Sequence, residues 1–333
     1  MRRVRPDEPT LMLVNPASRR GQDSFDAMRQ LAASRLNLVD AHLTTSADDM
    51  VARIQAGLSQ GVSRFLIGGG DGTLSQAADA LAGTDGVLGV LPVGTGNTFS
   101  HGLSLPSKPD ALMDLLAEGP ARRYDLGVAV KDGQQKVFLN SLTMGFSQRL
   151  VEMLSRETKN RLGYAAWILE FRQALATTPV LTVRVTADDV EDVFQTRQLV
   201  IVNGRTIAAG ISATPASSGE DGLLEVFRLG GPSLLSILRL GTQLLMGRLL
   251  TDHEAHYQAV TDLALRTEPA LPVNIDGELW LNPPLACRVW PAALWVIAPH
   301  EAGPSPHRWP LVTRTLGGPR VLSPRSRHYS LKP

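Results

Sequence analysis

Two hydrophobic rhythms alternate over the first hundred residues. Short apolar runs of strand length occur at Thr10 to Asn15, Leu36 to Leu43, Arg64 to Ile67 and Val87 to Leu91. Between them apolar residues recur at helical spacing. Phe25, Met28, Leu31 and Ala32 form one stripe in Ser24 to Ser34, and Ala47 to Leu58 and Leu74 to Leu81 form two more. Ser46 stands where an N-cap is needed, with Asp48 and Asp49 in the first turn after it. Strands separated by helices predict parallel pairing through right-handed crossovers. Ligands of such sheets bind at the carboxyl ends of the strands. Three of these ends carry turns of Gly or Asn: Asn15-Pro16, Gly68 to Thr73 and Gly94 to Asn97. Their recurrence predicts one shared site.

After about Asp125 the rhythm changes. Val128 to Ala129, Lys136 to Thr143, Val180 to Ala187, Val193 to Asn203, Gly222 to Leu229, Val260 to Thr267 and Leu285 to Ala298 read as strands. Helical spacing interrupts them only at Tyr164 to Ala176 and Ser233 to Leu250. Many strands with few helices predict an antiparallel sandwich. The fold class expected is therefore α/β: an α/β domain over residues 1–125, then a β-sandwich domain over 126–301 whose last strand can return to the first domain. A basic tail over 302–333, rich in Pro, Gly, Ser and Arg and without an acid after Glu301, is expected to be poorly ordered.

Composition narrows the class. The chain has 333 residues, 43% of them hydrophobic, and a net charge of +1, which suits a soluble two-domain protein. The near-neutral balance argues against a nucleic-acid partner. Cys287 is the single cysteine, so no internal disulfide or cysteine metal cluster is available, and a reducing cytoplasm is expected. Cys287 itself is expected to be a small buried residue. The start, Met1 to Pro6, is basic but lacks the apolar core of a signal peptide. Ser233 to Leu250 barely reaches the ~20 residues of a membrane span and is broken by Arg239 and Arg248. It reads as an amphipathic helix on the protein's own core, or as an interfacial one touching lipid. The tail offers a second peripheral contact with anionic lipid. The pattern leaves monomer and homodimer both open.

The candidate chemistry centres on Gly68-Gly69-Gly70-Asp71-Gly72-Thr73. A strand feeding a glycine turn that opens a helix brings main-chain N–H groups and a helix N-terminus to an anion. The spacing is neither that of the dinucleotide fingerprint nor that of the P-loop. No lysine precedes Lys108, so phosphate must be held by main-chain amides, Arg19 or Arg20, and a metal. Asp71 would repel a phosphate unless a cation lay between them, which points to a magnesium-nucleotide site. Gly94-Thr95-Gly96-Asn97 adds small residues and polar donors at a neighbouring strand end. Asn274-Ile275-Asp276-Gly277-Glu278 sets two carboxylates about a turn glycine. In a kinase one such acid accepts the proton of the attacking alcohol and the other helps to hold magnesium.

Taken in order, Val14-Asn15-Pro16 with Ser18 and Gly21, Gly69-Gly70-Asp71-Gly72-Thr73, Leu91 to Asn97, Glu220-Asp221-Gly222-Leu223 and Asp276-Gly277-Glu278 resemble the diacylglycerol kinase catalytic domain family of lipid kinases. The resemblance runs from Leu11 to about Pro299. It implies a first domain like that of NAD kinases and phosphofructokinases, a second β-sandwich domain, and ATP with Mg2+ in the cleft between. It makes Asn15, Thr44, Gly69, Gly70, Asp71, Gly72, Thr73, Leu74, Ser75, Gln76, Gly94, Thr95, Gly96 and Asn97 nucleotide contacts. Asp71 becomes part of an acid network that organises magnesium, with Asp125 a further member. Asp276 or Glu278 becomes the general base. Ser218, Asp221 and Leu223 match a structural magnesium position. One departure stands out: many bacterial members carry Asp where this chain has Thr98. Thr98 removes a charge from the network and puts diacylglycerol in question as the acceptor. His101, nearby, is expected at the surface. The expected function is an ATP- and magnesium-dependent lipid kinase acting on a lipid acceptor at a membrane surface, from the cytoplasm. The alternatives are an NAD kinase-like enzyme, which shares the Gly-Gly-Asp-Gly-Thr turn, and a non-catalytic nucleotide- or lipid-binding relative.

Overall fold

A computed structural model describes residues 2–146, 177–208, 211–212, 217–229 and 256–299. The helical stretches expected at Tyr164 to Ala176 and Ser233 to Leu250, and the tail over 302–333, lie outside the described residues. The first part runs β1 (Arg2–Arg3), β2 (Thr10–Val14), α1 (Gly21–Arg35), β3 (Leu38–Leu43), α2 (Ala47–Ser59), β4 (Arg64–Gly69), α3 (Asp71–Leu81), β5 (Val87–Pro92), α4 (Thr98–Gly102) and α5 (Pro109–Glu118). Strands follow: β6 (Pro120–Lys131), β7 (Gln134–Phe138), β8 (Ser141–Gly145), β9 (Leu181–Ala187), β10 (Val190–Thr196) and β11 (Gln198–Val202). Then come β12 (Thr206–Ala208), β13 (Ile211–Ser212), β14 (Leu224–Leu229), β15 (His256–Val260), β16 (Asp262–Glu268), β17 (Asn274–Ile275), β18 (Glu278–Leu279) and β19 (Leu285–Ile297).

Strands β3, β2, β4 and β5 pair in parallel, as the alternation of strand and helix predicts. Successive residues of these strands enter opposite faces. Leu11, Leu13, Phe65, Ile67, Leu88 and Val90 pack with Met50, Ile54, Ala77 and Leu81 of α2 and α3. Met12, Val14, Leu66 and Leu91 pack on the other side with Ala32, Leu112, Met113 and Leu116 of α1 and α5. Both faces are covered, as a parallel sheet requires. Ser46 caps α2, its hydroxyl accepting the amide of Asp49 at 3.1 Å. Helix α5 has no counterpart in the sequence reading, although Pro109 at its first positions and the Leu112, Met113, Leu116 spacing carry the signal.

The long strand β19 joins the two halves. Its end, Trp295 and Val296, pairs in parallel with β5, and its start pairs antiparallel with β16. The register shift between Trp290 and Leu294 allows both. Beyond β19 the same sheet continues antiparallel through β16, β9 and β10. A second antiparallel sheet, β15-β14-β11-β8-β17-β18, faces it across a core of Val183, Val185, Leu263, Leu285, Leu142, Ile201 and Val226 among others. The division expected after residue 125 falls inside β6, so no linker separates the halves there. Cys287 is buried in the sandwich core, and burial pushes its thiol up to about 12. Two long apolar runs break where the sequence reads one strand each. Val193 to Asn203 divides at Arg197, because β10 belongs to one sheet and β11 to the other. Lys136 to Thr143 divides at Leu139 and Asn140, whose amides turn away to a carboxylate of the site.

Candidate active site

The three turns at the ends of β2, β4 and β5 meet, as their recurrence predicts. They border a cleft of about 310 Å³ lined by Ser18 and Arg19, by Gly70 to Gly72, by Gly94 to Gly96, and by Asp276 to Glu278 from the β17–β18 turn. Two glycine turns come together here as bare backbone. A Cβ on Gly94 would lie 2.5 Å from the Cα of Gly70. Gly70 is the N-cap of α3, so the amides of the first turn have no intrahelical partner, a setting in which an anion can be received.

The expected nucleotide contacts divide into groups. Gly70, Asp71, Gly72, Gly94, Thr95 and Gly96 line the cleft. Asn15 and Thr73 hold each other instead, Asn15 Nδ2 donating to Thr73 Oγ1 at 3.0 Å, which ties the first turn to α3. Asn97 takes a left-handed φ of +48° and donates to the carbonyls of Gly94 and Pro92, fixing its own loop. Thr44 is buried beside Val14, at the end of β3. Leu74 sits in the hydrophobic core and Ser75 donates to the Val137 carbonyl at 3.0 Å, so these two face away from a ligand. Helical periodicity explains this: positions in one turn cannot all face the cleft. Gln76 turns toward Glu278, 3.2 Å from its Oε1.

Each acid has a distinct setting. Asp71 accepts the amides of Thr98 and Phe99 at 3.1 and 3.0 Å and the side chain of Asn140 at 3.4 Å. It therefore anchors the start of α4 on α3. Thr98 contributes its main chain, the amide to Asp71 and the carbonyl to Thr206 Oγ1 at 3.0 Å. His101 is exposed, as expected. Asp276 and Gly277 form the hairpin turn with φ of +46° and +97°, both positive as a type I′ turn requires. The Asp276 carboxylate is buried and accepts three amides, Leu139 at 2.6 Å, Asn140 at 3.0 Å and Ser141 at 2.9 Å. Burial still pushes its carboxyl up to about 6, the three N–H donors opposing the shift and the charge of Asp71 adding to it. Glu278 stands at the rim, paired with Lys136 Nζ at 2.7 Å.

Asp125 belongs elsewhere. Its carboxylate accepts the amides of Gly222 at 2.7 Å and Ala292 at 2.6 Å, and the charge it repels is that of Asp221, not Asp71. Asp221 lies at the surface, with Oδ1 accepting the Leu223 amide at 3.0 Å. Desolvation by the surrounding protein pushes its carboxyl up to about 6, with Asp125 contributing. Ser218 accepts the Glu220 amide at 3.2 Å in the same turn. The acids thus form two separate groups rather than one network. Lys136 and Asn140 take part in the first, and sequence reasoning missed both. The one signal was Asn140, a polar residue interrupting an apolar run.

The raised Asp276 carboxyl has a consequence for stability. Protonated Asp276 favours the folded chain fully below its ordinary value, and that contribution is lost as pH rises toward 6. In buffer without divalent cations, the urea midpoint of the wild type relative to Asp276→Asn is expected to fall between pH 4 and about 6.5. A pH-independent difference between the two would refute the assignment.

The donors in the cleft suit a hard cation. Asp71, Asp276 and Glu278 offer oxygen only, and Asp71 and Asp276 are near enough to repel. Among the described residues no three His, Cys, Asp or Glu side chains gather closely enough to complete a metal site. One or two carboxylates are the protein's usual share of a magnesium site that phosphate and water complete.

Residues 9–129 match the family described as the diacylglycerol kinase catalytic domain, and residues 141–298 match the YegS C-terminal NAD kinase beta sandwich-like domain. A protein from Pseudomonas fluorescens named "Probable lipid kinase YegS-like" is 32% identical over 268 residues, 79% of this chain and 87% of that protein. A protein from Mycobacterium tuberculosis named "Diacylglycerol kinase" is 28% identical over 298 residues, 87% of this chain and 94% of that protein. The fold is also similar to a crystal structure of a diacylglycerol kinase from Bacillus anthracis. The TM-score is 0.69 at 21% identity, covering 87% of this chain and 97% of that one.

Proposed function

The chain belongs to the diacylglycerol kinase catalytic domain family of lipid kinases, and from that premise we propose that it transfers the γ-phosphoryl group of magnesium-ATP to a hydroxyl of a lipid acceptor. The observation that carries this reading is the cleft itself. One wall is glycine backbone at a helix N-terminus, and the other presents Asp276 and Glu278. Amides of the α3 start hold the phosphates, and Arg19 supplies positive charge in a region without lysine. Asp71, with Asp276 beside it, would hold magnesium, which would supply charge neutralisation on the transferring phosphate.

Glu278 fits the general base better than Asp276. The Asp276 carboxylate is buried under three main-chain N–H donors, which makes it part of the turn's scaffold. Glu278 lies at the open rim, where a hydroxyl from a membrane lipid would arrive. Asp221, with Ser218 and Leu223 beside Asp125, offers the second magnesium position in this proposal. Desolvation raises the carboxyls of both acids, and the charge of Asp125 adds to the shift of Asp221. The acceptor is a lipid hydroxyl such as that of diacylglycerol. Among the described residues no helix is long and apolar enough to cross a membrane.

A phosphorylation screen tests this. The protein, ATP and magnesium are incubated with diacylglycerol, monoacylglycerol, sphingosine, ceramide or phosphatidylglycerol in mixed micelles, and with NAD, and products are read by mass spectrometry. A lipid phosphomonoester that disappears with EDTA is expected. Phosphorylation of NAD alone, or ATP binding without transfer to any lipid, would overturn the proposal.

A further inference from the structure

Among the described residues of the cleft, Glu278 is held by side chains, whereas Asp276 is held by main-chain N–H groups. Lys136 Nζ lies 2.7 Å from Oε2 and Gln76 Nε2 lies 3.2 Å from Oε1. The third contact is steric. A Cβ on Gly72 would stand 2.9 Å from Oε1, so the carboxylate rests on the bare backbone of α3. The elements that bring these groups together are themselves joined, Ser75 of α3 donating to the Val137 carbonyl of β7. The bend after β7 then holds the same hairpin a second time, through the three amides given to Asp276. The β17–β18 turn is thus straddled. Main chain fixes one carboxylate, and Lys136 with Gln76 fixes the other.

We infer that Lys136 is a positioning residue, which holds the Glu278 carboxylate against α3 in the orientation from which it takes the acceptor proton. The inference rests on the proposed role of Glu278 as proton acceptor. In the step it serves, the acceptor O–H breaks, the proton passes to Glu278, and the hydroxyl oxygen bonds to phosphorus as the bond from phosphorus to the ADP oxygen breaks. Lys136 touches neither reacting atom. A merely structural ion pair would behave differently. Its side chains are 25% and 41% exposed, and pairs of that kind add little to stability. The effect therefore falls on turnover, since small displacements of a reacting group are costly.

The test measures kcat and KM for Lys136→Met, Lys136→Arg and Glu278→Gln, with Lys136→Met combined with Glu278→Gln completing the cycle. Lys136→Met is expected to lower kcat about tenfold to a hundredfold with KM for ATP unchanged, and Lys136→Arg to restore most of it. In the Glu278→Gln background, Lys136→Met should cost nothing further. Should Lys136→Met lower the urea midpoint, Lys136→Leu is read in the same cycle. Full turnover in the lysine variants, or losses that simply add to that of Glu278→Gln, overturns the inference. An active Glu278→Gln protein would instead overturn the role of Glu278, whatever Lys136 does.

Discussion

Asp71→Ala is expected to abolish lipid phosphorylation in a chain that still folds. Asp71 does two things that no neighbour duplicates. It accepts the Thr98 and Phe99 amides and so sets α4 against α3. It also places a negative charge beside Asp276, in the cleft where the phosphates and their cation would lie. Losing one preorganised electrostatic group typically lowers kcat about 10²–10³-fold. Losing the cation position as well takes the expected fall to the upper end or beyond. Stability changes less, because opposite effects meet. Hydrogen bonds to a charged acceptor are lost, about 1.5–3 kcal/mol each at most. Burial still holds the Asp276 carboxyl up, but relief of the smaller Asp71 repulsion offsets part of that loss. Transfer of radiolabelled phosphate, measured alongside urea unfolding, separates the two effects. Wild-type turnover from a folded Asp71→Ala protein would sink the assignment.

Glu278→Gln is expected to lower kcat about 10²–10⁴-fold, the usual range for a lost general base. KM for ATP should stay near the wild-type value, because Glu278 serves the acceptor side of the cleft. The fold should be almost indifferent, since the lost ion pair with Lys136 is part-exposed and such pairs contribute about 0–1 kcal/mol. Asp276→Asn should differ in kind. An amide side chain cannot satisfy three converging N–H donors, so that variant loses stability as well as activity. Steady-state kinetics and urea midpoints on both variants distinguish base from scaffold. A folded Asp276→Asn protein without activity, next to a fully active Glu278→Gln protein, would exchange the two roles.

Much of this was written locally in the chain. Runs such as Leu66-Ile67 and Leu88 to Leu91 fill both faces of a parallel sheet, and the Ser46 cap forms within three residues, so sequence order alone predicts them. The glycine turns and the Asp276-Gly277 hairpin are likewise short-range, because positive φ and open backbone are properties of the residues themselves. What required the folded chain was every contact between distant segments. Nothing near Lys136 announces a partner at Glu278, and nothing near Asp125 chooses Asp221 over Asp71. Nor does the local pattern of Lys136 to Thr143 reveal that Asp276, far along the chain, will draw away the Leu139 and Asn140 amides and break the strand. Local preferences fix strands, helices and turns because their energies depend on neighbours in sequence. The site depends on which of those turns the sheets bring within hydrogen-bond reach, and only the tertiary structure, with its long return strand β19, decided that.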